Sequence, residues 1–209
     1  MSKTVCLFGK GSLAVRIADY LLQSTKFNLI GVVPVKLEPK WTISLSEWAI
    51  ERNIPILSLN EIQQKEMRVN IGFSCFFDEI FTEEQISLFD LALNLHNSPL
   101  PKYRGVNPVN WTLKNNEEFH GLTIHEITTG IDDGPIYGQV KFSINPHIDE
   151  VEDVYKRALN FGFTLFEDTI SQLETIEPRI QLESEASYYS KKDFEKLGDR
   201  KYNRRDSVS

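Results

Sequence analysis

The chain has 209 residues, 41% hydrophobic and 25% charged, an ordinary globular composition. That composition excludes a disordered, collagenous or coiled-coil chain and suits one domain with a short appendage. Its 23 Lys and Arg stand against 30 Asp and Glu, a net charge of -7, so it lacks the basic balance on which binding along a nucleic-acid backbone depends.

Residues 4–8 (TVCLF) form a short apolar run closed by Gly9-Lys10-Gly11, the pattern of a buried strand and a tight turn. From Ser12 the spacing changes to that of a helix. Leu13, Ala14, Ile17, Ala18, Leu21 and Leu22 make one apolar stripe, with Ser12 the expected N-cap. Residues 27–33 (FNLIGVV) read as a second buried strand. Strand, helix and strand with a glycine turn make a βαβ unit, parallel and right-handed. Residues 43–52 read as helix, IPIL at 54–57 as a short strand and 69–77 (VNIGFSCFF) as another. A short helix is expected at 82–89 and a strand at 91–95 (LALNL). Residues 107–115 read as helix, with Asn107 as cap and Pro108 at the first helical position. GLTIHEI (121–127) and IYGQVKFSI (136–144) read as strands that pair antiparallel at one edge. The turn between them carries Gly130, Asp132, Asp133, Gly134 and Pro135. Residues 151–173 place apolar side chains at helical spacing, and after Pro178 the chain turns polar. Arg200–Ser209 is expected to fray.

The fold class expected is therefore α/β, a Rossmann-like doubly wound, mostly parallel sheet. Residues 1–177 are expected to form its main domain and residues 178–209 a C-terminal extension. Cys6 and Cys75 sit in apolar runs and read as small buried hydrophobes of a reducing compartment. The N-terminal residues carry no leader pattern and no run has the length of a membrane span, so the expected location is cytoplasmic, with no membrane partner.

In such sheets ligands sit beyond the carboxyl ends of the strands. Gly9-Lys10-Gly11-Ser12 opens a helix and could hold a phosphate, or be a tight turn and nothing more. Alternation puts Asn94 and His96 on one face at a strand end. A histidine exchanges protons near cell pH, and an asparagine amide donates to a developing oxyanion. Taken alone, the pair reads more readily as ordinary strand-end residues, with a satisfied strand-end histidine. His120, His125 and His147 read as structural. Asp132 and Asp133 suit a turn, or one of them orients the histidine. Lys102 and Arg104, in the stiff loop Pro99–Gly105, could meet an anion. No cluster of Cys and His has metal-ligand spacing, so no metal is expected.

Residues 92–139 resemble the core of the folate-dependent formyltransferases. The resemblance rests on four ordered elements. Asn94-x-His96 is followed by the proline loop ending in Arg104-Gly105, then by Gly121-x-Thr123-x-His125, then by Asp132-Asp133-Gly134. The resemblance implies a catalytic trio of Asn94, His96 and Asp132, the last chosen over Asp133 because it stands two before the glycine. It implies N10-formyltetrahydrofolate as co-substrate, its pterin near the loop after the fourth strand, Phe76, Phe77, Asp78, Glu79 and Ile80. On this reading an amine attacks the formyl carbon, Asn94 and His96 stabilise the oxyanion, His96 shuttles the proton, and Asp132 holds its tautomer.

Three acceptors occur in the family. Enzymes acting on initiator methionyl-tRNA carry a further basic domain, and this chain is acidic with some thirty residues after Pro178. Enzymes acting on glycinamide ribonucleotide carry Asn where this chain has Leu13. Enzymes acting on nucleotide-linked amino sugars resemble it in Pro101–Gly105 and in Pro108-x-Asn110-Trp111. The expected acceptor is thus the amine of a nucleotide-linked amino sugar, for example a dTDP- or UDP-linked 4-amino-4,6-dideoxy sugar, for a surface glycan such as an O-antigen. Lys10, Lys102, Tyr103 and Arg104 are the candidate acceptor contacts. The alternatives are purine synthesis on glycinamide ribonucleotide, a folate or nucleotide binder without catalysis, and hydrolysis of the formyl group. Tyr188–Leu197 is a candidate partner-facing element, and a homodimer is the oligomeric expectation.

Overall fold

The computed structural model describes residues 2–201. The chain gathers into two compact units. One holds the chain up to Leu95 together with Glu126–Thr129; the other holds His96–His125 and the chain from Gly130 on.

The first unit is built on parallel strands. β1 (Lys3–Gly9) pairs with β2 (Phe27–Pro34) and with β3 (Val69–Cys75), and β3 pairs with β4 (Phe89–His96), whose last residue belongs to the second unit. The four apolar runs read as strands therefore form one parallel array in the order β2-β1-β3-β4. Their near-continuous burial is what a sheet covered on both faces demands. Helix α1 (Gly11–Gln23) buries the stripe Leu13, Ala14, Ile17, Ala18 and Leu21. Each such leucine or isoleucine contributes roughly 1.5–3 kcal/mol on burial.

Phe8 anchors an aromatic cluster, edge-on to Phe77, Phe81 and Phe89 at ring-centroid distances of 5.5, 5.1 and 5.7 Å. Gly9 ends β1 at φ +149°, and a Cβ there would stand 2.0 Å from the Cys75 carbonyl oxygen. The close approach of β3 leaves glycine as the residue that fits.

Three local expectations are corrected in this unit. Ser12 is not the cap of α1. Lys10 holds that position without a side-chain cap bond, and the Ser12 amide instead donates to Thr42 Oγ1 at 3.2 Å. A distant hydroxyl thus satisfies one of the orphan donors of the first turn. Residues 54–57 form no strand. They make a single parallel bridge, Val32 to Ile56, because Pro55 has no N–H to extend a ladder. The helix expected at 43–52 is α2 (Leu45–Glu51), and a further helix not expected, α3 (Leu59–Gln64), precedes β3. Helix α3 is started by a capping box, with the Ser58 amide donating to Glu61 and the Glu61 amide to Ser58 Oγ. The helix expected at 82–89 is one turn, α4 (Glu83–Ile86).

In the second unit, β6 (Phe119–Glu126) and β7 (Ile136–Ser143) pair antiparallel, with Gly121 opposite Lys141 and Thr123 opposite Gln139. Helix α5 (Pro108–Lys114) begins at the expected proline. Asn107 precedes it in a left-handed conformation and makes no side-chain cap bond. Helix α6 (Val151–Ser171) buries Val154, Ala158, Leu165, Phe166 and Ile170.

The polar segment after Pro178 is packed into this second unit. Arg179 exchanges two backbone hydrogen bonds with Ile136. β8 (Tyr188–Tyr189) pairs parallel with the two-residue β5 (Arg104–Gly105). Tyr189 stacks between Trp111, at 4.0 Å, and Tyr103, at 5.9 Å. Leu197, expected to face a partner, is buried beside Trp111. Of Arg200–Ser209, expected to fray, residues 202–209 lie outside the described residues. The Asn110 side chain donates to the Arg200 carbonyl.

Candidate active site

The loop following β4 is held in place by hydroxyl groups. Thr123 Oγ1 donates to the Ser98 carbonyl and accepts the Leu100 amide, while Ser98 Oγ donates to the Lys102 carbonyl. Gln139 Nε2 donates to the Leu100 carbonyl and to Thr123 Oγ1, both at 2.8 Å. Thr123 is the middle residue of the Gly-x-Thr-x-His element, so its role here is to brace the proline loop.

That bracing positions Tyr103 at φ +63°. Its carbonyl oxygen lies 2.9 Å from His96 Nε2, which donates to it. The other ring nitrogen, Nδ1, lies 3.5 Å from Asp132 Oδ2. Asp132 Oδ1 in turn lies 3.4 Å from His125 Nε2. The Gly105 amide donates to Asp132 Oδ2 at 2.8 Å. One carboxylate therefore stands between two buried imidazoles, with a backbone donor fixing its rotation. Burial opposes its charge, but the neighbouring His96, the His125 ring and the Gly105 N–H outweigh it. The Asp132 carboxyl is held well below the usual carboxylate range.

Asn94 sits on β4 two residues before His96. Ser74 lies opposite it on β3, and the Ser74 hydroxyl donates to Asn94 Oδ1 at 2.8 Å. With its oxygen turned to the Ser74 hydroxyl, the Asn94 amide is held in place on β4. The amide nitrogen is then the end suited to donate to a developing negative oxygen.

The structure thus brings His96 and Asp132 together, and adds His125, which the sequence reading set aside as structural. The signal was present, since His125 closes the Gly-x-Thr-x-His element. His120 does stay structural. Its Nδ1 lies 3.1 Å from Thr112 Oγ1 and its Nε2 3.2 Å from Asn97 Oδ1. Burial, with His96 nearby, pushes it down to about 3, so it is neutral.

The loop expected to meet the pterin follows β3, the third strand and not the fourth, because residues 54–57 are not a strand. Phe76 turns there at φ +58°. Phe77 packs on Phe8 and Phe81. Asp78 lies 3.9 Å from Lys10, and Glu79 lies 3.2 Å from Lys36. Ile80 is exposed.

Two candidate acceptor contacts are redirected. Arg104 is buried, and its guanidinium is engaged by Gln181 and, in a two-pronged pair, by Glu183. A carboxylate on both prongs takes the place an acceptor phosphate would need. Tyr103 is buried, and its hydroxyl donates to Glu117 at 2.8 Å. Lys102 lies 3.5 Å from the same carboxylate, and its side chain is more than half exposed.

Residues 5–170 match the formyl transferase family. This chain belongs to that family. The formyl transferase chain is 28% identical over 200 residues to the methionyl-tRNA formyltransferase of Thermotoga maritima, covering 88% of this chain and 63% of that one. It thus spans less than two thirds of that curated relative. Among solved structures it resembles the N-formyltransferase of Helicobacter canadensis in complex with folinic acid and dTDP-3-aminofucose. That likeness has a TM-score of 0.81 and 33% identity over 92% of this chain and 72% of the other. It also resembles WlaRD, a sugar 3N-formyl transferase solved with dTDP and 5-N-formyl-THF. There the TM-score is 0.82 with 31% identity over 92% of this chain and 71% of that one. The α/β, mostly parallel fold expected from the strand pattern is the fold of this family.

Proposed function

We propose that this chain transfers a formyl group from N10-formyltetrahydrofolate to the amine of a nucleotide-linked amino sugar. The observation that carries the chemistry is the His96–Asp132–His125 arrangement at the carboxyl end of β4. The likeness at 31 and 33% identity to two sugar N-formyltransferases supports the acceptor class.

The reaction makes one C–N bond and breaks another. The acceptor amine attacks the formyl carbon, the carbonyl oxygen becomes an oxyanion, and the bond to the folate nitrogen then breaks. One proton leaves the amine and one arrives at that nitrogen. Asn94 Nδ2 donates to the oxyanion. His96 carries the proton, exchanging the Tyr103 carbonyl for substrate at Nε2, while Asp132 retains Nδ1. Phe76–Ile80 is the proposed pterin loop. Its turned backbone offers amides and carbonyls to a polar heterocycle, and Ile80 offers apolar cover. Lys102, more than half exposed, and the partly buried Lys10 are the proposed cations for the acceptor's phosphates.

The further proposal is a cytoplasmic enzyme of surface-glycan synthesis, for example of an O-antigen, working as a homodimer. The test is mass spectrometry after incubation with N10-formyltetrahydrofolate and a panel of nucleotide-linked 3- and 4-amino sugars. Glycinamide ribonucleotide and methionyl-tRNA complete the panel. A formyl gain on an amino sugar, lost in His96→Ala, is the expected result. Gain only on methionyl-tRNA or on glycinamide ribonucleotide would replace the acceptor. Release of formate with no acceptor modified would replace transfer by hydrolysis.

A further inference from the structure

The carboxylate at the centre of the site sits on a turn that is itself held from outside the family-matched residues. Gln181 is 5% exposed, and every hydrogen-bonding position of its amide is used. Its Oε1 accepts from Arg104 Nε at 3.1 Å and from Arg104 Nη2 at 2.9 Å. Its Nε2 donates to the Asp132 carbonyl at 2.9 Å and to the Gly134 carbonyl at 2.8 Å. A guanidinium can only donate and a backbone carbonyl can only accept, so the amide has one permitted orientation. The bridge therefore has a direction. It ties β5 on one side to the Asp132 turn on the other.

The residues around Gln181 repeat the same connection. Two residues earlier, Arg179 bonds to Ile136, at the other end of the turn. Two residues later, Glu183 grips Arg104. The Ser187 carbonyl accepts the Arg104 amide, and Ser187 Oγ accepts the Tyr103 amide. The Gly105 amide then reaches Asp132 Oδ2, and the Tyr103 carbonyl reaches His96 Nε2. Segment 179–189 thus accepts the Tyr103 and Arg104 amides, next along the chain to the two backbone groups that contact the catalytic side chains. Of residues 179–183 Gln181 is the buried one, with Ile180 70% and Leu182 58% exposed, and the chain passes through a short 3-10 turn at Glu183–Glu185 before it reaches Ser187.

We infer that segment 179–189 is a positioning strap for the active site and that Gln181 is its key positioning residue, setting where Asp132 stands against His96 and His125. The inference rests on the reading of Asp132 given above. Gln181 meets no reacting atom on this account. It acts through the Asp132 and Gly134 carbonyls. Losing it removes a donor from two backbone carbonyls of the turn and frees the turn to shift, which withdraws Asp132 from both rings.

The experiment is NMR titration of the imidazole signals of His96 and His125 in the full chain, with thermal melting recorded alongside. Asp132→Asn defines the displacement of both titration midpoints when the carboxylate is lost. Gln181→Met keeps the length of the side chain, adds no charge and removes all four bonds. It is expected to move both midpoints in the direction set by Asp132→Asn, since the carboxylate that stands 3.5 Å from one ring and 3.4 Å from the other is withdrawn from both. Ile180→Ser, on the outward side of the strap, is expected to titrate like the wild type. Gln181→Asn, too short to span both partners, serves if Gln181→Met does not fold. A merely structural role would lower the melting temperature and leave the midpoints in place. Wild-type midpoints in both Gln181 variants, with Asp132→Asn displaced, would overturn the strap. Midpoints unmoved in Asp132→Asn itself would overturn the pairing of Asp132 with the two rings.

Discussion

The Gly105 amide donates to Asp132 Oδ2 at 2.8 Å, from a backbone at φ +90°. Glycine occupies that conformation at no steric cost, whereas a Cβ there would stand 2.1 Å from the Tyr189 carbonyl oxygen. A backbone position open only to glycine is thus coupled directly to the central carboxylate. The Arg-Gly pair that closes the proline loop has a separate task for each residue, Arg104 gripped by the strap and Gly105 on the carboxylate.

Gly105→Ala is therefore expected to lose stability and activity together. A non-glycine residue forced into a sparsely populated conformation costs about 1–3 kcal/mol, and the clash with β8 adds to it. Chemical denaturation would give the first, and turnover with the acceptor found in the panel would give the second. Unchanged stability would mean that β5 and β8 separate without loss.

His96→Ala and Asn94→Ala are each expected to lower turnover by about 10²–10³, the usual result of losing an oxyanion donor or a proton carrier. The fold should survive, which circular dichroism would check. Near-wild-type turnover in either variant would remove that residue from the mechanism. Ser74→Ala is a finer probe of the same site. It deletes the hydroxyl that orients Asn94 and leaves Asn94 in place. One neutral hydrogen bond contributes about 1 kcal/mol, so turnover should fall roughly fivefold, well short of the Asn94→Ala effect.

Much of this site was legible in the sequence because its chemistry lies close along the chain. Asn94 and His96 share a strand, and alternation alone puts them on one face. The link to Asp132 was not derivable from spacing, since it depends on how the turn after β6 folds back, and it came from the resemblance. The strap was missed for a different reason. Its residues, Gln181, Glu183 and Ser187, are polar and short of periodicity, so they read as an exposed tail. Gln181 is buried by pairing with Arg104 and with backbone carbonyls, and Glu183 grips Arg104 from an exposed position, none of which an apolar pattern announces. Arg104 was misread in the same way, as a cation for a ligand when its partners lie within the chain. Residues 54–57 show the reverse failure, an apolar run with strand composition in which Pro55 prevents a ladder.

Acid sensitivity is expected to come first from His120. In the folded chain its proton affinity is pushed down to about 3, from an ordinary 6.5, by burial and by His96. The unfolded chain therefore binds a proton near pH 6.5 that the folded chain refuses. The stability this group contributes is complete above that value and is lost as the pH falls from about 6.5 toward 3, by about 1.4 kcal/mol per pH unit. Asp132 is displaced in the same direction, but from an ordinary value of 3.8, so its share is lost only below about pH 4. Between pH 6 and pH 4.5 the two are separable, and His120 should dominate by roughly an order of magnitude in free-energy slope. Stability measured by urea unfolding across that range should fall steeply in the wild type. His120→Gln keeps a hydrogen-bonding side chain between Thr112 and Asn97 and has no group to titrate. It should be less stable than the wild type at pH 7.5 and should show a nearly flat profile down to pH 4.5. An equally steep loss in His120→Gln would place the acid-sensitive group elsewhere in the chain.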